Sequence, residues 1–167
     1  MVEFVALLQQ VAVDLLVDVR AIPRSRSNPQ FNSDVLPRAL AAAGITYLHL
    51  SALGGLPHRP ADNAQARNAF WHTRSLRNYA DYADTVAFRR GLDELRVAAL
   101  DHCCAIMCAE AVWWRCHRRI ISDYLLADGI TVAHIMGRNR IDLATLTPGA
   151  HVSPSGKILY PDISAKQ

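Results

Sequence analysis

The sequence predicts an α/β fold, a single three-layer domain over residues 1–167 with a mainly parallel sheet flanked by helices. Two patterns point there. Short apolar runs of strand length alternate along the chain with longer stretches whose apolar residues recur at helical spacing, as in βαβ units. The strand-like runs are apolar almost throughout, as strands covered on both faces are. The bulk numbers agree: 167 residues, 51% hydrophobic and 20% charged, suffice for one sizeable core and exclude a disordered chain.

Each element has its own warrant. Residues 3–11 form a short amphipathic helix, and 15–19 a buried strand that ends in a polar turn over 20–29. A helix over 31–43 starts at Ser33, a good N-cap, and stops at Gly44. A second strand over 45–50 is closed by Leu53-Gly54-Gly55. Residues 57–75 have no clear period but carry His58, Arg59, Arg67, Trp71, His72 and Arg74; a loop of that length in a compact domain reads as a lid or binding element. Residues 79–100 are helical, with Phe88, Leu92 and Leu95 at core spacing. A third strand over 105–108 leads to a helix over 116–127 that stops near Gly129, and a fourth strand covers 130–136. The tail holds Pro148, Pro154 and Pro161 and reads as loop with a short strand or two.

The formal net charge is only +3, but all the basic residues except Lys157 and Lys166 are arginines. Guanidinium suits bidentate capture of phosphate or carboxylate, although a coding bias favouring Arg and Ala together would give the same composition. Apolar runs such as 103–109 are far too short to cross a bilayer, and Asp14 and Asp18 interrupt the N-terminal apolar stretch. A cytoplasmic, non-membrane protein is therefore the default expectation. Cys103, Cys104, Cys108 and Cys116 lie close together, which in that compartment suggests free thiols, a metal or catalysis before disulfides. Strand alternation puts Cys104 and Cys108 on one face and Cys103 on the other, with the Cys103-Cys104 pair as buried filling.

In an open parallel sheet, ligands bind beyond the carboxyl ends of the strands. The first strand presents Asp18, Arg20 and Ser25 there, the second His49 with Gly54 and Gly55, and the third Cys108 and Glu110. Each has a plainer role available. Asp18 can cap the turn or pair with Arg20, and the arginines at 20, 24 and 26 can be solvated loop charges instead of an anion site. His49 alternates in register with Tyr47 and can be a hydrogen-bonded core residue, while the glycines fit an ordinary turn. Cys108, at a strand end near a helix start and arginines, is placed to become a thiolate, yet cysteine is often simply buried. Cys116, His117 and Arg118 open the next helix, and spacing puts Cys116 and His117 on its apolar face. Glu110 inside the loop argues against a simple anion cradle. Ordinary zinc binding is not expected either: the spacing fits no common ribbon or finger, and adjacent helical side chains diverge by about 100°.

The ordered set Asp18-Val19-Arg20 with Pro23 and Ser25, Phe31, His49 with Leu53-Gly54-Gly55, Tyr79 and Tyr82, Cys108-Ala109-Glu110 and Cys116-His117-Arg118 closely resembles the family called domain of unknown function 488. The likeness covers a core of about 15–161, and its most specific part is the pairing of the Cys-Ala-Glu and Cys-His-Arg triplets. The resemblance implies a single α/β domain in a bacterial cytosolic protein and brings no established reaction. Family members usually begin with another strand, near Thr-Ile-Gly-His-Ser, whereas this sequence starts inside the helix that follows it: either the start codon is misplaced or one strand is missing, and a missing strand would leave a sheet edge open to pairing and association. They often carry a proline between the triplets, where this chain has Trp113-Trp114, which can stack on a ring or cover the site from water.

The expectation is an enzyme with a thiol, carboxylate and imidazole site at the strand carboxyl ends, acting on a nucleotide or nucleic-acid component. Cys108, Glu110, His117 and Asp18 would carry catalysis. Arg20, Ser25, His49, Gly54, Gly55, Trp114, Cys116 and Arg118 would bind substrate. No cofactor is specified. The alternatives are a non-catalytic nucleic-acid or nucleotide binding module and an oligomeric scaffold assembled through the open sheet edge.

Overall fold

A computed structural model describes residues 1–55 and 67–162. Its centre is strand β1, Leu15–Asp18, every residue of which is buried. It pairs in parallel with β2, Thr46–His49, on one side and β3, Cys104–Met107, on the other. The register sets Asp18 opposite both His49 and Met107, so the three carboxyl ends finish level with one another.

Side-chain alternation divides the core into the two outer layers expected of this fold. Leu16 of β1 faces a cluster with Tyr47, Ala105 and Met107, covered by helices α1, Val2–Gln9, and α2, Leu36–Ala41. Leu15, Val17 and Val19 face the other cluster, with Leu48, Cys104, Ile106 and Cys108. That side is covered by α3, Arg74–Tyr82, α4, Val86–Asp101, and α5, Arg118–Ala127. A one-residue shift of β1 would exchange the two sets, so burial on both faces fixes the register.

Several expectations are corrected. The segment at 130–136 does not join the parallel sheet. It forms β4, Ala133–Gly137, paired antiparallel with β5, Arg140–Leu143. The turn runs through Asn139, whose φ of 56° is a conformation asparagine tolerates, so the local hairpin takes the pairing. Ile135 is nevertheless packed against the cluster beneath α1, and Gln10 bonds Gly137 O and Asn139 N. Helix α2 begins after Val35, not Ser33, because Pro37 belongs in a first turn and 29–31 form a separate 3₁₀ turn. The long helix expected over 79–100 is two helices. Thr85 breaks it by adopting extended backbone and capping Phe88 N through Oγ1. Cys103 is exposed, so it is not core filling.

The tail contributes strands β6, His151–Val152, and β7, Ile158–Leu159, an antiparallel pair clasped onto α5. Buried Asp123 accepts from Thr147 N at 2.8 Å and Tyr160 Oη at 2.9 Å. Arg119, one turn before Asp123, bonds Thr147 Oγ1 and lies over the Trp71 ring. Of the segment expected at 57–75, residues 57–66, with His58 and Arg59, lie outside the described residues. Trp71 is buried in the core, not part of a lid. No helix among the described residues is long and apolar enough to cross a membrane.

Asp18 is completely buried and is compensated by Arg20, two residues on, with Nη2 at 2.5 Å and Nε at 2.8 Å. Tyr47 Oη donates to the same carboxylate at 2.7 Å. Arg20 Nη2 also reaches Phe31 O, tying the strand end to the 3₁₀ turn. The pair raises the Arg20 pKa further, chiefly through the hydrogen bond to Asp18. Removing one partner strands the other charge, so Asp18→Ala is expected to lower stability by about 3–5 kcal/mol in urea unfolding. A loss under 1 kcal/mol would mean the pair is not structural.

Candidate functional site

The site is assembled where β3 ends. Met107 O still accepts from Val19 N at 2.9 Å, and the chain then leaves the sheet. Glu110 N turns back to Cys108 Sγ at 3.2 Å, closing a tight loop. A 3₁₀ turn over Trp113–Arg115 follows, and Cys116 N bonds Trp113 O. Cys116 itself is extended, with φ −120° and ψ 153°, and α5 starts only after His117. Cys116 therefore does not belong to the helical stripe with Ile120 and Tyr124 that its spacing suggests. Freed from helical geometry, its sulfur and the His117 ring point to the same place.

The result is a compact cluster. Cys108 Sγ and Cys116 Sγ are 2.7 Å apart, and His117 Nδ1 is 3.6 Å from Cys116 Sγ. The other ring nitrogen, Nε2, faces Val19 O at 3.3 Å. A carbonyl only accepts, so Nε2 carries a proton, and Nδ1 is the ring nitrogen turned to the Cys116 sulfur. The His117 ring packs on Tyr79 at 4.7 Å between centroids, and Tyr79 Oη is fixed by Leu53 O at 2.5 Å.

The two thiols are electrostatically unlike. Cys116 is buried at the start of α5, where Arg118 N points to its sulfur at 3.4 Å. The hydrogen bond from Cys108 lowers its pKa most, and His117 and the Arg118 amide lower it further. Cys108 is pushed up by donating that hydrogen bond and by burial. The two shifts run in opposite directions, making Cys116 the more acidic thiol of the pair. The same approach lets the pair act as a nucleophile with its acid, as a dithiol that can be oxidised, or as metal ligands.

The other expected site residues divide between the two faces of the sheet. Asp18, Arg20 and His49 stand on the α2 side and are occupied: His49 Nε2 sits 2.8 Å from Arg20 O, and the Asp18–Arg20 pair is internally satisfied. Asp18 is thereby placed away from the thiols, which lie on the side of Val17 and Val19. Ser25 is also engaged locally, its Oγ accepting from Asn28 N. Glycine at 54 is a packing requirement, since a Cβ there would lie 2.2 Å from Ala21 N. Gly55, at φ +70°, faces the Tyr79 ring. Arg118 Nη2 braces the loop through Glu110 O at 2.7 Å, while its buried Nε has no partner among the described residues.

Two cavities meet the cluster. One of about 520 Å³ is lined by Gly54, Gly55, Tyr79, Arg115, Cys116 and His117. A larger one of about 1060 Å³ runs from Arg20, Arg24 and Ser25 past Cys108, Trp114 and Arg118 and along the outer edge of β3 to β4. Glu110 lines both. Trp113 is stacked on His134 of β4 at 3.9 Å and 9°, whereas Trp114 remains 43% exposed. Sequence reasoning missed Tyr79 as a wall of the site and the Val19 carbonyl that sets the His117 tautomer. Tyr79 stood in the ordered set that carries the family resemblance, which was its signal; a backbone carbonyl leaves none.

Fold and site together define an α/β protein with a cysteine–histidine cluster at the carboxyl ends of a parallel sheet. The chain belongs to the family described as Domain of unknown function DUF488, which it matches over residues 1–125. No curated protein and no solved structure matches it.

Reduced, chelator-treated protein should show one thiolate of this pair by ultraviolet absorbance at neutral pH, because Cys116 is lowered and Cys108 raised. The signal should persist into acid, disappear in Cys116→Ser, and move to higher pH in Cys108→Ala. An unchanged profile in Cys116→Ser would place the charge elsewhere.

Proposed function

We propose that this protein is an enzyme whose reactive centre is the Cys108–Cys116–His117 cluster and whose substrate is a nucleotide or nucleic-acid component. The observation that supports the reading most is the closely spaced thiol pair beside an imidazole, set between two cavities at the strand ends. A buried, hydrogen-bonded thiolate costs stability unless its environment is built for it, and such environments concentrate where chemistry is done.

In this reading Cys116 carries the reactive charge in place of Cys108, and Cys108 holds it as a hydrogen-bond donor. His117 Nδ1 moves the proton, and Glu110 at both cavity mouths is the second acid or base. The substrate class follows from the larger cavity. Arg24 and Arg118 offer guanidinium groups to a phosphate, and half-exposed Trp114 offers a ring face to a base. Arg20 is committed to Asp18, so the anion contact passes to these two arginines.

Nucleoside monophosphates and a short single-stranded oligonucleotide provide the test, with binding followed by fluorescence and conversion by mass spectrometry. Binding should weaken as salt rises and fall about tenfold in Arg118→Ala or Trp114→Ala, within the range of one lost stacking or charged contact. Cys116→Ser should bind but convert nothing. Binding without conversion by the unaltered protein would favour a non-catalytic binding module. Absence of binding to any of these probes would remove the substrate class.

A further inference from the structure

The expectation that adjacent Cys116 and His117 diverge holds only inside a helix, and Cys116 is outside one. With Cys108 they place two sulfurs and one imidazole nitrogen within 4.8 Å of one another. We propose that Cys108 Sγ, Cys116 Sγ and His117 Nδ1 are a three-ligand site for a divalent cation of zinc's class, with the fourth position open to the 520 Å³ cavity. The inference deepens the enzyme reading, because it rests on the same cluster and names the cofactor it would hold.

The donor set and its spacing carry it first. The donor set is soft and mixed, two thiolates and an imidazole, which zinc accepts in tetrahedral sites. Zn–S and Zn–N bonds of about 2.3 and 2.0 Å put tetrahedral sulfur and nitrogen about 3.5 Å apart. The Cys116–His117 edge is already at 3.6 Å. The sulfurs, at 2.7 Å, must separate by about 1 Å to admit the ion. The balance is simple: the cation binds both sulfurs as thiolates, and the Cys108 proton leaves to solvent.

The surroundings are also those of a ligand set. His117 donates Nε2–H to Val19 O, the outer-shell bond that fixes a ligating imidazole and points its lone pair at the ion. Glu110 N and Arg118 N each point at one sulfur, at 3.2 and 3.4 Å, which disperses thiolate charge. No fourth Cys, His, Asp or Glu among the described residues joins the group. Three protein ligands and one open position are the pattern of a catalytic centre, whereas structural sites close all four. Glu110 at the cavity mouth is placed to exchange protons with a molecule bound at the open position.

The test is metal titration of the reduced, metal-free chain with Zn²⁺ against a chromophoric chelator, and with Co²⁺ followed by absorbance. Expected are one ion per chain and a tetrahedral cobalt spectrum with thiolate charge-transfer bands. Affinity should fall at least about 100-fold in Cys108→Ser, Cys116→Ser and His117→Ala, but not in Cys103→Ser. The cobalt spectrum of the unaltered chain keeps the test decisive if a variant fails to fold. Absence of stoichiometric binding, a cobalt spectrum without thiolate bands, or equal loss in Cys103→Ser would overturn the site. If metal binding is absent while Cys116-dependent nucleotide conversion persists, the metal is wrong and the thiol enzyme stands. If the ion binds but nothing is converted, the enzyme reading fails alone.

Discussion

The two-residue pleat of three short parallel strands is the constraint on which everything else rests. β1 is buried on both faces, so each of its side chains is committed to one layer or the other. Leu16 and Asp18 go to the side of α1 and α2, and Leu15, Val17 and Val19 to the side of α3, α4 and α5. The level ends of the strands then carry two polar groupings back to back. One, Asp18–Arg20 with Tyr47, is closed on itself and holds the strand end to the 3₁₀ turn. The other, Cys108–Cys116–His117, is internally bonded yet opens on cavities. Only the second has groups left over for chemistry.

That second grouping depends on a local change of backbone. Cys116 is the last extended residue before α5, and His117 is the first residue with helical angles. An extended residue followed by a helical one folds two adjacent side chains towards each other. The helix start supplies an amide for the sulfur, and the β1 carbonyl at Val19 supplies an acceptor for the imidazole. Neither partner is a side chain, so the arrangement is robust to substitution among neighbours and sensitive to where the helix begins.

Much of the fold was legible because burial on two faces leaves an unmistakable trace. The run Leu15-Leu16-Val17 could hardly be anything other than a central strand, and the ends at Asp18, His49 and Cys108 marked the level at which polar groups gather. What was not legible follows from local chemistry outweighing pattern. Pro37 moved a helix start, Thr85 divided a helix, and the Asn139 turn made a hairpin from a segment that reads as a fourth parallel strand. In the site, residue types were readable but faces were not. The sequence groups Asp18 with Cys108, and the pleat separates them. Helical spacing was extended one residue too far at Cys116, which hid its convergence with His117.

The Trp113–His134 stack gives this arrangement a further property. Among the described residues the β4–β5 hairpin shares no backbone ladder with the main sheet; Ile135, the Gln10 bonds and this ring pair help to hold it. Elements held through side chains and not through a ladder are, in general, less tightly tied to the core. Trp113 lies in the loop that joins Cys108 to Cys116, so the seating of the hairpin bears on the link between them. The spacing of the two sulfurs is thereby tied, through one ring pair, to how the hairpin is seated beside the site.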